Sequence, residues 1–296
     1  MVIVRLGGGL GNQLFQYATG RALALRTGTE LRLDLGLFGK GAYRPYSLGV
    51  FDLEAEPASP DALPFEFRQW HRSALTRRLY SRLPRRLIIR RQNGPRVIRE
   101  KGFAFDESVT HASGDVYLVG FWQSPKYFED AAAVIRSDLA LTSQRVGASV
   151  PLTDDVRQEG TVSVHVRRGD YVSHPANTGR YVDCSPQYYE HALELLSARV
   201  EVRSVYVFSD DIEWAKTELQ FAIPTVFASE PSSRSDIADF FLMSQCEHHV
   251  IANSTFSWWA AWLGRRPDGL VVAPSGWFTD AARDTGDLYP VEWFVV

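Results

Sequence analysis

Two cysteines, Cys184 and Cys246, are all that the 296 residues contain. They form no spaced metal motif and no disulfide framework, and a chain long enough to bury its own core does not depend on one bridge. No run of 18 apolar residues occurs, so no segment is expected to span a membrane. A charged N-terminal region followed by an apolar stretch is also missing. Met-Val-Ile-Val-Arg-Leu runs straight into Gly7, Gly8 and Gly9, which reads as a first strand and its turn rather than a signal peptide. The expectation is a cytosolic, reduced protein. There is no Gly-x-x-x-x-Gly-Lys-[Ser/Thr] loop, which counts against P-loop hydrolysis. There is no Asp-x-Asp pair of the sort that carries a divalent metal between a nucleotide and a sugar. Net charge is only −3, which argues against blanket nucleic-acid binding.

What is present is ample apolar material: 45% hydrophobic residues, with 17 Phe, 12 Tyr and 8 Trp, which excludes the disordered class. The length predicts two domains of about 150 residues each. The small net charge hides an asymmetry. Segment 68–101 holds twelve of the 32 Lys and Arg residues and one acid, Glu100, so it carries about +11 and the remainder about −14.

A short apolar strand, Val2 to Leu6, leads through the glycine turn to a helical pattern from Asn12 to about Arg26, with Leu14, Tyr17, Ala18, Arg21, Ala22 and Leu25 at three- and four-residue spacing. Gly28 reads as its stop, and Glu30 to Leu35 as the next strand. In the basic segment Leu75, Leu79, Leu83 and Leu87 fall along one side of a helix that Pro84 breaks or kinks. A strand over 116–121 and a helix over 125–139 follow. The polar stretch 141–160 is the expected boundary, giving domains 1–150 and 151–296. In the second, short apolar runs at 161–166, 204–208, 225–227, 249–252 and 270–273 alternate with helical patterns near 186–199, 212–219, 236–246 and 255–263. Apolar runs without alternation fit a parallel sheet covered on both faces. The expectation is α/β: two doubly wound domains, with ligands at the carboxyl ends of the strands.

Four motifs sit at such ends. Gly7-Gly8-Gly9-Leu10-Gly11-Asn12-Gln13 resembles a dinucleotide fingerprint, with Asp34 as its acid, but its glycine spacing fails at Asn12 and at Leu14. It reads either as a tight turn for helix packing or as close backbone approach to a ligand, with Asn12 and Gln13 offering amides. His165-Val166-Arg167-Arg168-Gly169-Asp170 puts two guanidiniums at a strand end, where they need anions. Arg167 is placed to clamp a diphosphate and Arg168 to pair with Asp170. A purely structural ion-pair cluster is the competing reading. Phe208-Ser209-Asp210-Asp211 offers carboxylates for a ribose, a base edge or a metal, or simply a helix cap. Asn253-Ser254-Thr255-Phe256 opens a helix whose free N–H groups suit a phosphate. Together these are parts for a nucleoside diphosphate, neutralised by Arg167 and backbone N–H groups.

At these residues the chain resembles the bacterial α-1,2-fucosyltransferases, inverting enzymes that use GDP-fucose. The likeness runs from Gly8-Gly9-Leu10-Gly11-Asn12-Gln13-Leu14-Phe15-Gln16-Tyr17 through His165 to Tyr171 and Phe208 to Asp211, and ends with Asn253 to Trp262. It implies a GT-B-like fold, two facing Rossmann-like domains with a cleft between them, GDP-fucose mostly on the second and the acceptor on the first. It implies transfer of fucose, with inversion, to the 2-hydroxyl of a galactoside, with no metal and no cofactor. Arg167 would contact the β-phosphate and stabilise departing GDP, with His165 near the nucleotide and Arg168 beside it. Asp210 or Asp211 would lie near the guanine edge, Asp239 near ribose or base, and Ser209 among the residues that bind the donor. Ser254, Thr255 and Phe256 would bind phosphate through backbone and hydroxyl groups, Asn12 would face the sugar, and Gly9, Gly11 and Asn253 would be among the residues that bind the donor. Asp170 is the candidate base, with proton loss to the leaving phosphate or water as the alternative. The family's turn usually follows a non-glycine residue, whereas this chain has Gly7.

Three other readings compete: an α-1,6-type fucosyltransferase acting on N-acetylglucosamine, a GDP-sugar-binding or membrane-docking protein without transfer activity, and an NAD-dependent oxidoreductase favoured only by the glycine turn. The partners expected are GDP-fucose and a galactose-terminated oligosaccharide or glycolipid precursor, with no nucleic acid. Segment 68–101 is a basic amphipathic pattern, read either as a solvated face or as peripheral contact with an anionic membrane.

Overall fold

Val2, Ile3 and Val4 are at most 1% exposed, as a strand covered on both faces requires. The computed structural model describes residues 1–39, 42–68, 94–146, 150, 152–175, 177–229 and 235–296. It divides into two compact units, Met1–Leu139 and Ala140–Val296, so the polar stretch 141–160 belongs to the second. The leucine stripe of the basic segment, Leu75 to Leu87, lies outside the described residues.

In the first unit, strand β1 (Val2–Arg5) feeds helix α1 (Leu10–Thr27) and strand β2 (Leu31–Asp34). Gly28 ends α1 in the left-handed conformation, φ 61°, as its position after the last periodic residue suggests. Gly20 lets α1 lie directly on the sheet, because a Cβ there would come within 2.2 Å of Val4 Cγ2 and 2.9 Å of Leu31 Cδ1. Strands β3 (Glu56–Pro57), β4 (Arg96–Arg99) and β5 (Val116–Val119) complete a parallel sheet of order β3-β2-β1-β5-β4. β4 was hidden in the sequence by its arginines. The helix expected over 125–139 is two short 3₁₀ turns followed by α2 (Ala132–Asp138), whose Asp138 accepts from Tyr17 and Arg21 on α1.

In the second unit, strands β6 (Thr161–Val166), β7 (Ser204–Ser209), β8 (Thr225–Phe227), β9 (His248–Val250), β10 (Val271–Ala273) and β11 (Phe294–Val295) alternate with helices α3 (Gly169–Ser173), α4 (Pro186–Ser197), α5 (Ile212–Glu218), α6 (Asp236–Gln245) and α7 (Thr255–Leu263). The sheet is parallel, in the order β11-β10-β9-β6-β7-β8. The first three strands of the unit thus run outward one way from β6 and the last three the other way. This is the doubly wound dinucleotide-fold order, and its switch point lies between β6 and β9. Val162, Val164, Val205 and Val207 pack beneath α4 through Leu193 and Leu196. Each such side chain contributes about 1.5–3 kcal/mol of burial.

Among the described residues both sheets are wholly parallel, so each opens its strand carboxyl ends along one edge.

Candidate active site

β6 ends at Val166, and Arg167 follows at the switch point. Its Nη2 lies 2.5 Å from Asp170 Oδ1 and its Nη1 2.8 Å from Asp210 Oδ2. Burial alone would weaken the charged form. The Asp210 and Asp170 carboxylates outweigh it and hold the guanidinium above its ordinary pKa. Asp210, at the end of β7, also accepts through Oδ1 from the backbone N–H of Arg168 (2.9 Å) and Gly169 (3.0 Å). Its carboxylate therefore ties the β6 and β7 loops together. A Cβ on Gly169 would sit 2.6 Å from Asp210 Oδ2, so only glycine admits this contact unchanged.

The expected pairing of Arg168 with Asp170 is not found. Arg168 lies over the Trp214 ring at 4.1 Å, with Asp183 at 3.5 Å and Asp211 at 3.6 Å. The reason is α3: its helical turn starts at Gly169 and brings residue 170 beneath residue 167, while Arg168 turns the other way. Asp170 is correspondingly engaged, its Oδ1 on Arg167 and its Oδ2 accepting from Asn177 Nδ2 at 3.3 Å. It is an ion-paired brace for Arg167 in this structure. Tyr171, next along, stacks on Tyr181 at 4.0 Å and donates its hydroxyl to Asn253 O at 3.0 Å.

His165 is 4% exposed, its ring 5.5 Å from that of Phe256, and its Nδ1 meets no partner among the described residues. Burial pushes its pKa down to about 3, against a smaller upward pull from Asp210, with Arg167 adding to the fall. The ring is neutral at physiological pH and a weak proton acceptor.

Across the switch point, Ser254 caps α7, its Oγ accepting from Phe256 N at 3.4 Å. The remaining first-turn N–H groups from Thr255 onward carry the positive end of the helix dipole. Asn253, expected among the donor-binding residues, makes its bonds inside the fold. Its Nδ2 donates to Val182 O (2.6 Å) and Trp277 O (3.1 Å), and it is 1% exposed. That explains the third polar residue at this strand end: it staples β9 to two loops.

At the end of β7, Ser209 Oγ accepts from Asp211 N (2.9 Å), and Asp211 caps α5 by accepting from Trp214 N (3.4 Å). Asp239, in the first turn of α6, accepts from Ser229 Oγ at 2.6 Å, and Ser229 in turn accepts from Ser209 N at 3.1 Å. Sequence reasoning missed Ser229. The available signal was its position, a polar residue two places past the end of β8, just as Ser209 is the last residue of β7.

Gly9, Gly11 and Asn12 lie in the first unit, past the carboxyl end of β1, the strand that β5 neighbours. Gly8 has φ 80°, and a Cβ there would fall 2.6 Å from Asn12 Nδ2. Gly9 is the N-cap of α1 and makes no side-chain cap bond, and Gly11 is buried in the first turn. Gln13, which one of the two readings of the turn has offering its amide to a ligand, is 0% exposed. It donates to Gly8 O and Pro45 O and accepts from Ser47 N, each at 2.9 Å. Asn12 Oδ1 accepts from Gln123 Nε2 at 2.7 Å. Among the described residues, no group of three or more His, Cys, Asp or Glu is placed to hold a metal ion.

The sequence pattern described as Glycosyl transferase family 11 matches residues 97–296, from within β4 to the end of the second unit. The chain belongs to glycosyl transferase family 11. This glycosyltransferase is 32% identical over 305 residues to an alpha-1,2-colitosyltransferase of Escherichia coli, covering 99% of this chain and 98% of that one. It is 28% identical over 258 residues to galactoside alpha-(1,2)-fucosyltransferase 2 of Rattus norvegicus, covering 86% of this chain and 65% of the relative. Among solved structures, the fucosyltransferase NodZ from Bradyrhizobium matches with a TM-score of 0.51 at 15% identity, over 88% of this chain and 92% of that one. That likeness is one of fold, and the glycosyltransferase has the GT-B-like α/β class expected from its sequence.

Proposed function

We propose that this glycosyltransferase moves L-fucose from GDP-fucose, with inversion, to the 2-hydroxyl of a terminal galactoside. The observation that carries the reading is Arg167, kept cationic by two carboxylates at the switch point of a doubly wound sheet and paired across it with the N-terminus of α7. Charge develops on the leaving β-phosphate as the glycosidic bond lengthens. A fixed guanidinium and first-turn N–H groups stabilise it more in the transition state than in the ground state. Ser254, Thr255 and Phe256 hold the diphosphate, and Asp239, with Ser229 behind it, lies toward the nucleoside. The first unit carries the acceptor. Two relatives support the α-1,2 linkage by their names.

A second reading, in which the sugar transferred is colitose, is favoured by the relative matched over 99% of this chain. Incubation with lactose and either GDP-fucose or GDP-colitose, followed by linkage analysis, tests both readings. An α-1,2-fucosylated trisaccharide is expected, undiminished by EDTA, and Arg167→Lys should lower its rate by about a hundredfold or more. A 1,6 linkage, or GDP-fucose binding without product, would overturn the proposal.

The enzyme is proposed to act in the cytoplasm, with segment 68–101 touching anionic membrane. Vesicle binding that weakens with salt and with charge reversal at Arg77, Arg78 and Arg82 tests this, and binding indifferent to both sinks it.

A further inference from the structure

Glu100 is the lone acid of the basic segment, and charge arithmetic makes it a minor counter-ion. At the end of β4 it does something else. Its Oε1 accepts from Trp122 N at 2.8 Å and its Oε2 from Phe121 N at 2.9 Å, both in the loop that leaves β5. Trp122 holds φ 58°, a left-handed conformation that costs a bulky residue about 1–3 kcal/mol and persists only where its surroundings impose it. Its side chain is wholly buried, and Ser124 N closes the turn on Trp122 O at 2.8 Å.

The next side chain, Gln123, is 7% exposed and donates to Asn12 Oδ1 on the first turn of α1. Asn12 is itself pressed against Gly8. A second amide, Gln16, bridges the same two strand ends, accepting from Gly7 N and donating to Gly120 O, each at 2.9 Å. The Glu100, Gln123 and Gln16–Gly120 links each join residues more than 20 apart in sequence, and all of them meet at the carboxyl ends of the neighbouring parallel strands β1, β5 and β4, the edge at which open α/β sheets bind ligands.

We propose that Glu100 is a positioning residue, which holds Trp122 in its left-handed turn and so sets Gln123, and through it the Asn12 amide, for the acceptor sugar at the ligand edge of the first unit. This rests on the reading of the first unit as the acceptor side. Both oxygens of Glu100 are occupied by N–H donors, so it acts through the relay and not as the base. An amide in its place can accept from one backbone N–H but presents its own N–H₂ to the other.

The test is a double-mutant cycle with Glu100→Gln, Gln123→Ala and both together. Each single variant is expected to lower kcat/KM for the acceptor about ten- to a hundredfold, with GDP affinity by titration within about twofold of the parent. The double variant should be no worse than the poorer single one, because both break the same relay. Losses that multiply, or GDP affinity that falls in step with turnover, overturn the proposal. If Glu100→Gln does not fold, Gln123→Ala carries the test, since it leaves both carboxylate contacts intact, and parental acceptor kinetics in the folded protein then overturn it. If the parent enzyme transfers no fucose, it is the functional reading that fails. The relay is then read from the side-chain amide NMR signals of Asn12, which should move in both single variants. Unmoved signals in Glu100→Gln overturn it.

Discussion

At the residue scale the arginine proposed to stabilise the leaving phosphate is defined by what surrounds it. Two carboxylates hold Arg167, and one of them, Asp210, is itself held by the backbone of the loop it stabilises. That closed set of contacts leaves Gly169 no room for a side chain. Gly169→Ala is therefore expected to push Asp210 off Arg167 and lower transfer by on the order of tenfold, with weaker GDP binding. Parallel transfer assays and GDP titrations check this, and full activity in a folded variant would refute it. The residue types at the site could be read from their sequence positions at strand ends. Their pairings could not. Which arginine meets Asp170 depends on where α3 begins, and a five-residue helix with mixed polarity leaves no periodic trace. The internal bonds of Asn253 and Gln13 could not be read for a related reason: a buried amide that satisfies backbone groups and an exposed one that meets a ligand are written with the same letters.

At the element scale, the strands and helices with a strong apolar pattern fall where the sequence places them. β6 and α7 match to the residue, because fully buried parallel strands and an unbroken apolar helix leave little ambiguity. β4 did not show, since Arg96 and Arg99 flank only two apolar residues, and Arg99 reaches back over the Phe67 ring at 5.2 Å. α1 is the element on which the first unit depends. The close approach at Gly20 sets its distance from β1 and β2, and Gly20→Ala should destabilise the protein by about 1–3 kcal/mol through overpacking. Urea unfolding measures it, and an unchanged midpoint would show that the helix can shift.

At the scale of the whole molecule, two parallel sheets each carry a polar constellation at the carboxyl ends of their central strands, although the family pattern begins only at residue 97. Burial also gives the protein an acid sensitivity that its small net charge conceals. His165 and His249 are each pushed down to about 3, both chiefly by burial. Unfolding returns them to about 6.5, so the unfolded state binds more protons between those values. Stability is thus fully present above pH 6.5 and is lost as pH falls toward 3, by up to ~1.4 kcal/mol per pH unit for each ring. Denaturation at a series of pH values should show this slope, made shallower by His249→Asn. An equal slope in that variant would remove His249 from the account.

The tryptophans of α7 have a use outside the chemistry. Trp258, Trp259 and Trp262 lie within 5.1–6.2 Å of one another, with Trp293 at 5.3 Å from Trp258, all of them on or beside the helix whose first turn is proposed to receive the phosphates. Rings that close exchange excitation, so the second unit carries its own optical reporter. In the first unit the described indole is Trp122, alone in the left-handed turn. Emission from the cluster and from a Trp122→Phe difference spectrum will therefore show which unit loosens first.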